Sequence, residues 1–213
     1  MQADTSSTSL AICGATPYSY AGQQADSTAH GITARLGSTD APDVVAGHVG
    51  GWIGVGGTEA GPGGTAEWLQ TGLAAFPGDT TMQMYYEVTV PGSQPRYVEL
   101  RSAVAPGQSH RFAVLEMLHH PGWWRVWVDG HPASRAIHLP DSDGSWYPQA
   151  MGESWNGGVG ACNSYAFRFE GVAVATADGG GWRPLRSGGE WQDPGTQVRT
   201  LASVGHSFLA TSA

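Results

Sequence analysis

Apolar and polar positions alternate with a period of two along much of the chain. In "MQMYYEVTV", Met82, Met84, Tyr86, Val88 and Val90 fall on one face, and Gln83, Tyr85, Glu87 and Thr89 on the other. That is the pattern of a strand with one side buried. "SYAFRFEGVAVA" alternates again through Tyr165, Phe167 and Phe169. "WWRVWVDGHPASRAIHL" reads as a hairpin: Trp124, Val126 and Val128 point one way, and Asp129-Gly130 supplies the residues a tight primed turn needs. The turn signals "PGGT", "FPGDT", "VPGSQP", "APGQS", "HHPG" and "LPDSDGS" separate such runs. They recur at roughly 10 to 15 residues, the rhythm of an antiparallel sandwich. No helix longer than two turns and no internal repeat is expected.

The pattern therefore predicts an all-β chain folded as a bent antiparallel β-sandwich of the jelly-roll type. The expected sandwich domain covers 18–176, after an N-terminal extension, 1–17. A Gly-rich C-terminal arm, 177–213, carries Trp182, Trp191 and the apolar run "LASVGHSFL" and is expected to pack on the sandwich. No Pro/Ser-rich linker divides the chain, and 213 residues are enough for a substantial core. The concave side of such a fold is where ligands usually sit.

Charge narrows the partners. There are 18 acidic residues against ten arginines and no lysine, a formal charge of −8 with a pI near 5.3. Such a surface repels phosphate backbones and anionic lipid, so neither nucleic acid nor membrane is an expected partner. The acidity suits either a soluble surface or life in an acidic medium. No apolar run reaches the roughly 18 residues needed to cross a bilayer. The start, "MQADTSSTSLAICG", lacks the basic and apolar regions of an intact signal peptide, and "QADTSSTS" would suit a mature terminus with Met1 supplied for expression. A secreted or cell-surface location, with the signal peptide removed, is the expectation. Cys13 and Cys162 have no metal-ligand spacing. Paired, they would close a loop of about 150 residues, worth on the order of 5 kcal/mol in the chain-entropy model; such a bond would favour secretion.

Common chemistries fail on inspection. There is no G-x-S-x-G elbow. His119 and His120 are adjacent and would face opposite sides of a strand. His48, His110, His131 and His138 show no zinc spacing and read as solvated or core residues. "DSDG", Asp141 to Gly144, lacks the downstream bidentate Glu of a calcium loop. "GWIGVGG" is followed by no helix, so it is no phosphate cradle. No cofactor and no metal is expected.

Three strands remain. On "EWLQTGLAAF", Trp68, Gln70 and Gly72 share a face opposite Leu69, Thr71 and Leu73. The leucines look inward, which leaves Trp68 and Gln70 to line the other surface. "WYPQAMGESWNGG", if extended, puts Met151, Glu153 and Trp155 on one face. "HVGGWIGVGG" gives Trp52, Gly54 and Gly56 a common face, with floor space left by the absent side chains.

In that order and spacing, "GWIGVGG", "WLQTG", "YYEV" and "GESW" resemble the motifs of the glutamic peptidases, or eqolisins: W-V-G-x-D-G, L-Q-T-G, Y-E-W and A-E-W. "YAGQ" at Tyr20 to Gln23 is similar to the family's opening W-A-G strand. The resemblance spans about 20–175. It implies a concanavalin-like sandwich and a secreted, acid-active endopeptidase that takes polypeptide substrates. It implies that Gln70 and Glu153 are the catalytic pair, that Trp52 is the Trp of the first motif, and that Glu87 is the Glu of the third. Trp52, Trp68, Tyr85, Glu87 and Trp155 form the expected substrate-binding surface of a monomer. Three departures stand out: Gly56 replaces the usual Asp, Tyr20 replaces the usual Trp, and "GESWNGG" lacks the second acid after the A-E-W motif.

The chemistry needs this pair. Amide hydrolysis requires a base to deprotonate water and donors to hold the oxyanion. In the roles the resemblance implies, Glu153 would supply the first and then return the proton, and Gln70 would supply an uncharged N–H donor. Two other readings stay open at this level. Nine tryptophans would suit a carbohydrate-binding module, with Trp123, Trp124, Trp127, Trp146 and Trp155 as stacking residues. Glu87 and Glu153 could serve a polysaccharide hydrolase or lyase, although the E-x-D-x-E strand of jelly-roll glycosidases is missing.

Overall fold

The structure, a computed structural model, describes residues 16–201 and 206–212. Strands β1 (Tyr18–Ala25), β2 (Gly31–Ser38), β3 (His48–Gly61), β4 (Thr65–Ala75), β5 (Met82–Thr89) and β6 (Arg96–Val104) come first. They are followed by β7 (Ser109–Glu116), β8 (Trp123–Val128), β9 (His131–Pro132), β10 (Ile137–His138), β11 (Gln149–Trp155) and β12 (Tyr165–Ala177). The C-terminal segment adds β13 (Gly180–Pro184), β14 (Ser187–Gln192), β15 (Thr196–Thr200) and β16 (His206–Ser212). Among the described residues the only helical element is a three-residue 3₁₀ turn, Pro62–Gly64.

The strands form two antiparallel sheets. The smaller runs β14-β1-β11-β3-β4-β5-β6, and the larger β10-β8-β7-β2-β12-β16-β15 with β13 and β9 attached to β12 and β8. The protein is an all-β sandwich. The C-terminal segment sends β14 to the edge of the smaller sheet and β13, β15 and β16 to the larger. Of the two cysteines, Cys13 lies outside the described residues and Cys162 is disulfide-bonded.

Alternation explains the core. Ile32, Ala34 and Leu36 of β2 are fully buried beside Phe112 and Val114 of β7, and Phe169 stacks on Phe208 at 4.7 Å. Facing them are Val49, Ile53, Leu69, Leu73 and Met84 of the smaller sheet. Each such side chain contributes roughly 1.5–3 kcal/mol on burial. The hairpin turns where its Asp-Gly pair predicts: Val128 pairs with His131 across Asp129 and Gly130, both at positive φ (49° and 80°). With one face of the smaller sheet committed to the core, its other face is free to carry polar groups.

Candidate active site

That outer face is assembled by register. In antiparallel ladders, directly opposite residues point the same way. Glu153 lies opposite Tyr20 on one side and Gly50 on the other. Trp52 lies between Met151 and Gly72, and Gly54 between Gln149 and Gln70. Gln70 in turn faces Glu87, and Gly72 faces Tyr85. Trp155 pairs with His48 and with Tyr18. Gln70 and Glu153, 83 positions apart in sequence, therefore project from the same surface, opposite the core.

The Glu153 carboxylate is held at both oxygens. The Trp52 indole N–H donates to Oε2 at 2.9 Å, and His48 Nε2 lies 3.0 Å from Oε1. Glu153 is nearly buried, at 9 % exposure, yet it opens onto the face rather than the interior. Gly50 leaves room beside it. A Cβ there would stand 3.4 Å from the Tyr85 hydroxyl and 3.7 Å from Trp52 Cδ1, so the hydroxyl reaches over the residue opposite Glu153. Gln70 Nε2 donates to the same hydroxyl in a long bond of 3.4 Å. Among the described residues no hydrogen bond joins Gln70 directly to Glu153; Tyr85 stands between them.

Burial pushes the Tyr85 hydroxyl well above its ordinary value, and the charges of Glu153 and Glu87 push it further, against the Gln70 bond. It stays neutral and can donate or accept. Glu87 accepts the Trp68 indole N–H at 3.1 Å. Burial raises its pKa, the Trp68 bond opposes this, and Glu153 raises it again. The raised pKa marks a carboxyl that holds its proton more readily than a solvated one.

Aromatic rings frame these groups. Tyr97 stacks on Tyr85 at 4.9 Å, Trp155 stacks on Tyr18 at 6.2 Å, and His48 packs against Trp155 at 5.5 Å. Of the residues expected from sequence, Trp52, Gln70, Tyr85, Glu87 and Glu153 share the face, with Trp68 bonded to Glu87 and Trp155 at the margin. Tyr20, the Tyr in place of the opening motif's Trp, lies opposite Glu153, while His48 and Tyr97 carry no motif that marks them as site residues. Spacing alone makes His48 a solvated or core residue, yet the alternation through Gly54 and Trp52 leads back to Gly50 and His48 on the same side.

The carbohydrate reading loses part of its surface. Trp124 and Trp146 lie inside, stacked at 6.4 Å, with their N–H groups committed to Ser142 Oγ and the Ala60 carbonyl. One cluster elsewhere has metal-ligand character: His30, Glu116 and Asp143 place ligand atoms within 4.8 Å of one another. Glu116 is already satisfied there by His30 and by the N–H groups of Gly122 and Gly144.

No family model and no curated protein sequence matches the chain. Among solved structures it is similar to scytalido-glutamic peptidase with a peptide-based transition-state analog, at 15% identity and TM-score 0.56, covering 93% of this chain and 98% of that one. A second structure of that peptidase, with a transition-state analog inhibitor, gives 14% identity and TM-score 0.58 over 93% and 99% of the chains. SCP-B, a member of the Eqolisin family of peptidases, in complex with the tripeptide Ala-Ile-His, gives 15% and 0.53 over 93% and 98%. The chain has the glutamic-peptidase fold.

Against the glutamic-peptidase motifs, the Gly56 departure has a local cause. Gly56 adopts φ +88°, and a Cβ there would lie 2.2 Å from the Glu67 carbonyl oxygen. No side chain fits this backbone, so the motif's Asp has no equivalent at Gly56. Glu87, matched to the Glu of the third motif, lies opposite Gln70 on the next strand.

Proposed function

We propose that the protein is an endopeptidase of the glutamic type, hydrolysing peptide bonds in polypeptides with Glu153 and Gln70. The observation that carries this reading is the Glu153 carboxylate, clasped by Trp52 and His48 on the face from which Gln70 also projects. Glu153 takes a proton from water as its oxygen attacks the peptide carbonyl. The Gln70 amide leaves its long bond to Tyr85 and donates to the oxyanion. The protonated Glu153 then gives its proton to the departing nitrogen, which restores the carboxylate. Trp52, Trp68, Tyr85, Glu87 and Trp155 line the path of the substrate chain. We take the enzyme to act as a secreted monomer in an acidic medium, a setting that suits the excess of acids over arginines and the disulfide at Cys162.

The test is cleavage of unfolded casein from about pH 2 to 7 by the wild type, Glu153→Gln and Gln70→Ala. Glu153→Gln is expected to lose roughly 10²-fold or more in kcat. Gln70→Ala is expected to lose about 10²–10³-fold, the usual effect of removing one oxyanion donor. Cleavage that persists undiminished in both variants removes this assignment.

A further inference from the structure

Tyr85 lines the substrate path, yet its hydroxyl stands between the two groups that do the chemistry. The side chain leaves β5 opposite Gly72 of β4 and ends beside Gly50 of β3, where a Cβ would stand 3.4 Å from the hydroxyl. Gly50 is the residue opposite Glu153, so no side chain stands at that position between the hydroxyl and the carboxylate. The ring itself is fixed. It packs with Trp52, Ala74 and Met151, and Tyr97 stacks on it at 4.9 Å. Behind it, Thr71 Oγ1 donates to the Tyr85 carbonyl at 2.7 Å.

The hydroxyl is a donor without an acceptor. The Gln70 amide uses its oxygen, in the long bond of 3.4 Å, and among the described residues no protein group accepts its hydrogen. Burial and the charges of Glu153 and Glu87 push the hydroxyl well above its ordinary value, so it keeps that hydrogen at acid and neutral pH alike. Two neutral donors therefore rest against each other, and an oxyanion supplies the acceptor that both lack. Donors 3.4 Å apart can each reach one shared oxygen at the usual distance of about 2.7–3.1 Å. No cation stands ready to replace them. The ladders place no arginine opposite Glu153, Gln70 or Tyr85, the chain has no lysine, and the His48 ring is turned to Glu153 Oε1.

Resting on the peptidase reading above, we infer that Tyr85 is a catalytic residue whose hydroxyl is the second donor of the oxyanion hole, beside the Gln70 amide. As water oxygen bonds to the peptide carbon, the carbonyl π bond breaks and its electron pair settles on the oxygen. The Gln70 N–H and the Tyr85 O–H both donate to that oxygen. Neither hydrogen is transferred: the proton lost by water goes to Glu153 and then to the leaving nitrogen, and Tyr85 is neutral throughout. When the carbonyl reforms, the two donors return to each other.

The test measures kcat and KM on a fluorogenic peptide across the acidic range for the wild type, Tyr85→Phe, Gln70→Ala and the double variant, the slow ones at high enzyme concentration. Tyr85→Phe keeps the ring and its stack and removes only the hydroxyl; circular dichroism and a thermal melt check its fold. It is expected to lose about 10²-fold in kcat, the usual effect of removing an oxyanion donor, with KM within about twofold. The loss should be the same at each pH, because the hydroxyl does not titrate there. The double variant should be slower than Gln70→Ala by about tenfold or more, since each donor meets the oxygen directly. A double variant no slower than Gln70→Ala would show that the hydroxyl only props the amide. A loss confined to one end of the pH range would show that it acts on the titration of Glu153. Either result, or a Tyr85→Phe enzyme as fast as the wild type, overturns the inference and leaves the peptidase reading intact. A wild type that cleaves no peptide sinks both.

Discussion

At the scale of the residue, the candidate site is a carboxylate with the Trp52 indole at one oxygen and the His48 ring at the other, beside an amide bonded to the neutral Tyr85 hydroxyl. Trp52 is the point where this arrangement can be probed without moving the backbone. Its ring is packed with Met151, Ala74 and Tyr85, and its N–H is the donor to Glu153 Oε2. Trp52→Phe keeps an aromatic ring in that cluster and removes the donor. A hydrogen bond to a charged group is worth about 1.5–3 kcal/mol, so the variant should remain folded and lose roughly tenfold or more in kcat. Steady-state kinetics beside a thermal melt checks this. Unchanged turnover would mean that the indole only fills space.

At the scale of the element, β3 decides what the face can hold. It runs from His48, through Gly50, where a Cβ would meet only ordinary contacts, and Gly54, where a Cβ would press on the Leu69 carbonyl and on Gln70, to Gly56 and the 3₁₀ turn at 62–64. Inserting the family's Asp at Gly56 forces a side chain onto a left-handed residue and into the Glu67 carbonyl. Gly56→Asp should therefore cost about 1–3 kcal/mol of stability and bring no gain in activity. Gly57→Asp is the control: a Cβ there meets nothing within 4 Å. Urea melts that leave Gly56→Asp as stable as Gly57→Asp would refute the steric account. The same strand marks the limit of what the sequence discloses. Period-two alternation revealed which side of β4, β5 and β11 Gln70, Glu87 and Glu153 occupy, because burial of one face imposes it. It could not reveal that Glu153 lies opposite Gly50 or that Trp155 lies opposite His48, since register between strands distant in the chain is set by cross-strand contacts. β14 gave no periodic signal at all, being exposed from Ser187 to Gln192. Gly56 could be seen as a departure, but its positive φ could not.

At the scale of the whole molecule, titration should make this an acid-preferring fold. Among the described residues, the Arg–carboxylate pairs Arg168–Glu170 and Arg183–Asp26 are substantially exposed and add little. Asp129 works against this trend: burial raises it, but the His110 bond and the Arg111 N–H hold it below its ordinary value. Its contribution is present above its ordinary pKa and is lost as pH falls through the folded one. Glu67 and Glu87 act in the opposite sense. Glu67 points inward from β4 with neither carboxylate oxygen hydrogen-bonded, and burial, with Asp141 nearby, pushes it from 4.5 to about 7. Glu87 is also raised, chiefly by burial. A raised carboxyl keeps its proton in the folded state after the unfolded chain has lost it. The stability it brings is complete below 4.5 and is lost as pH rises to about 7. The formal charge of −8 adds self-repulsion over the same range. Melting temperature should accordingly be higher at about pH 5 than at about pH 7.5, and Glu67→Gln, which removes the buried charge, should flatten that fall and melt higher than the wild type at the upper pH. A wild type whose melting temperature climbs over this interval, or a Glu67→Gln protein that retains the full decline, would show that the buried carboxyl does not govern the pH response.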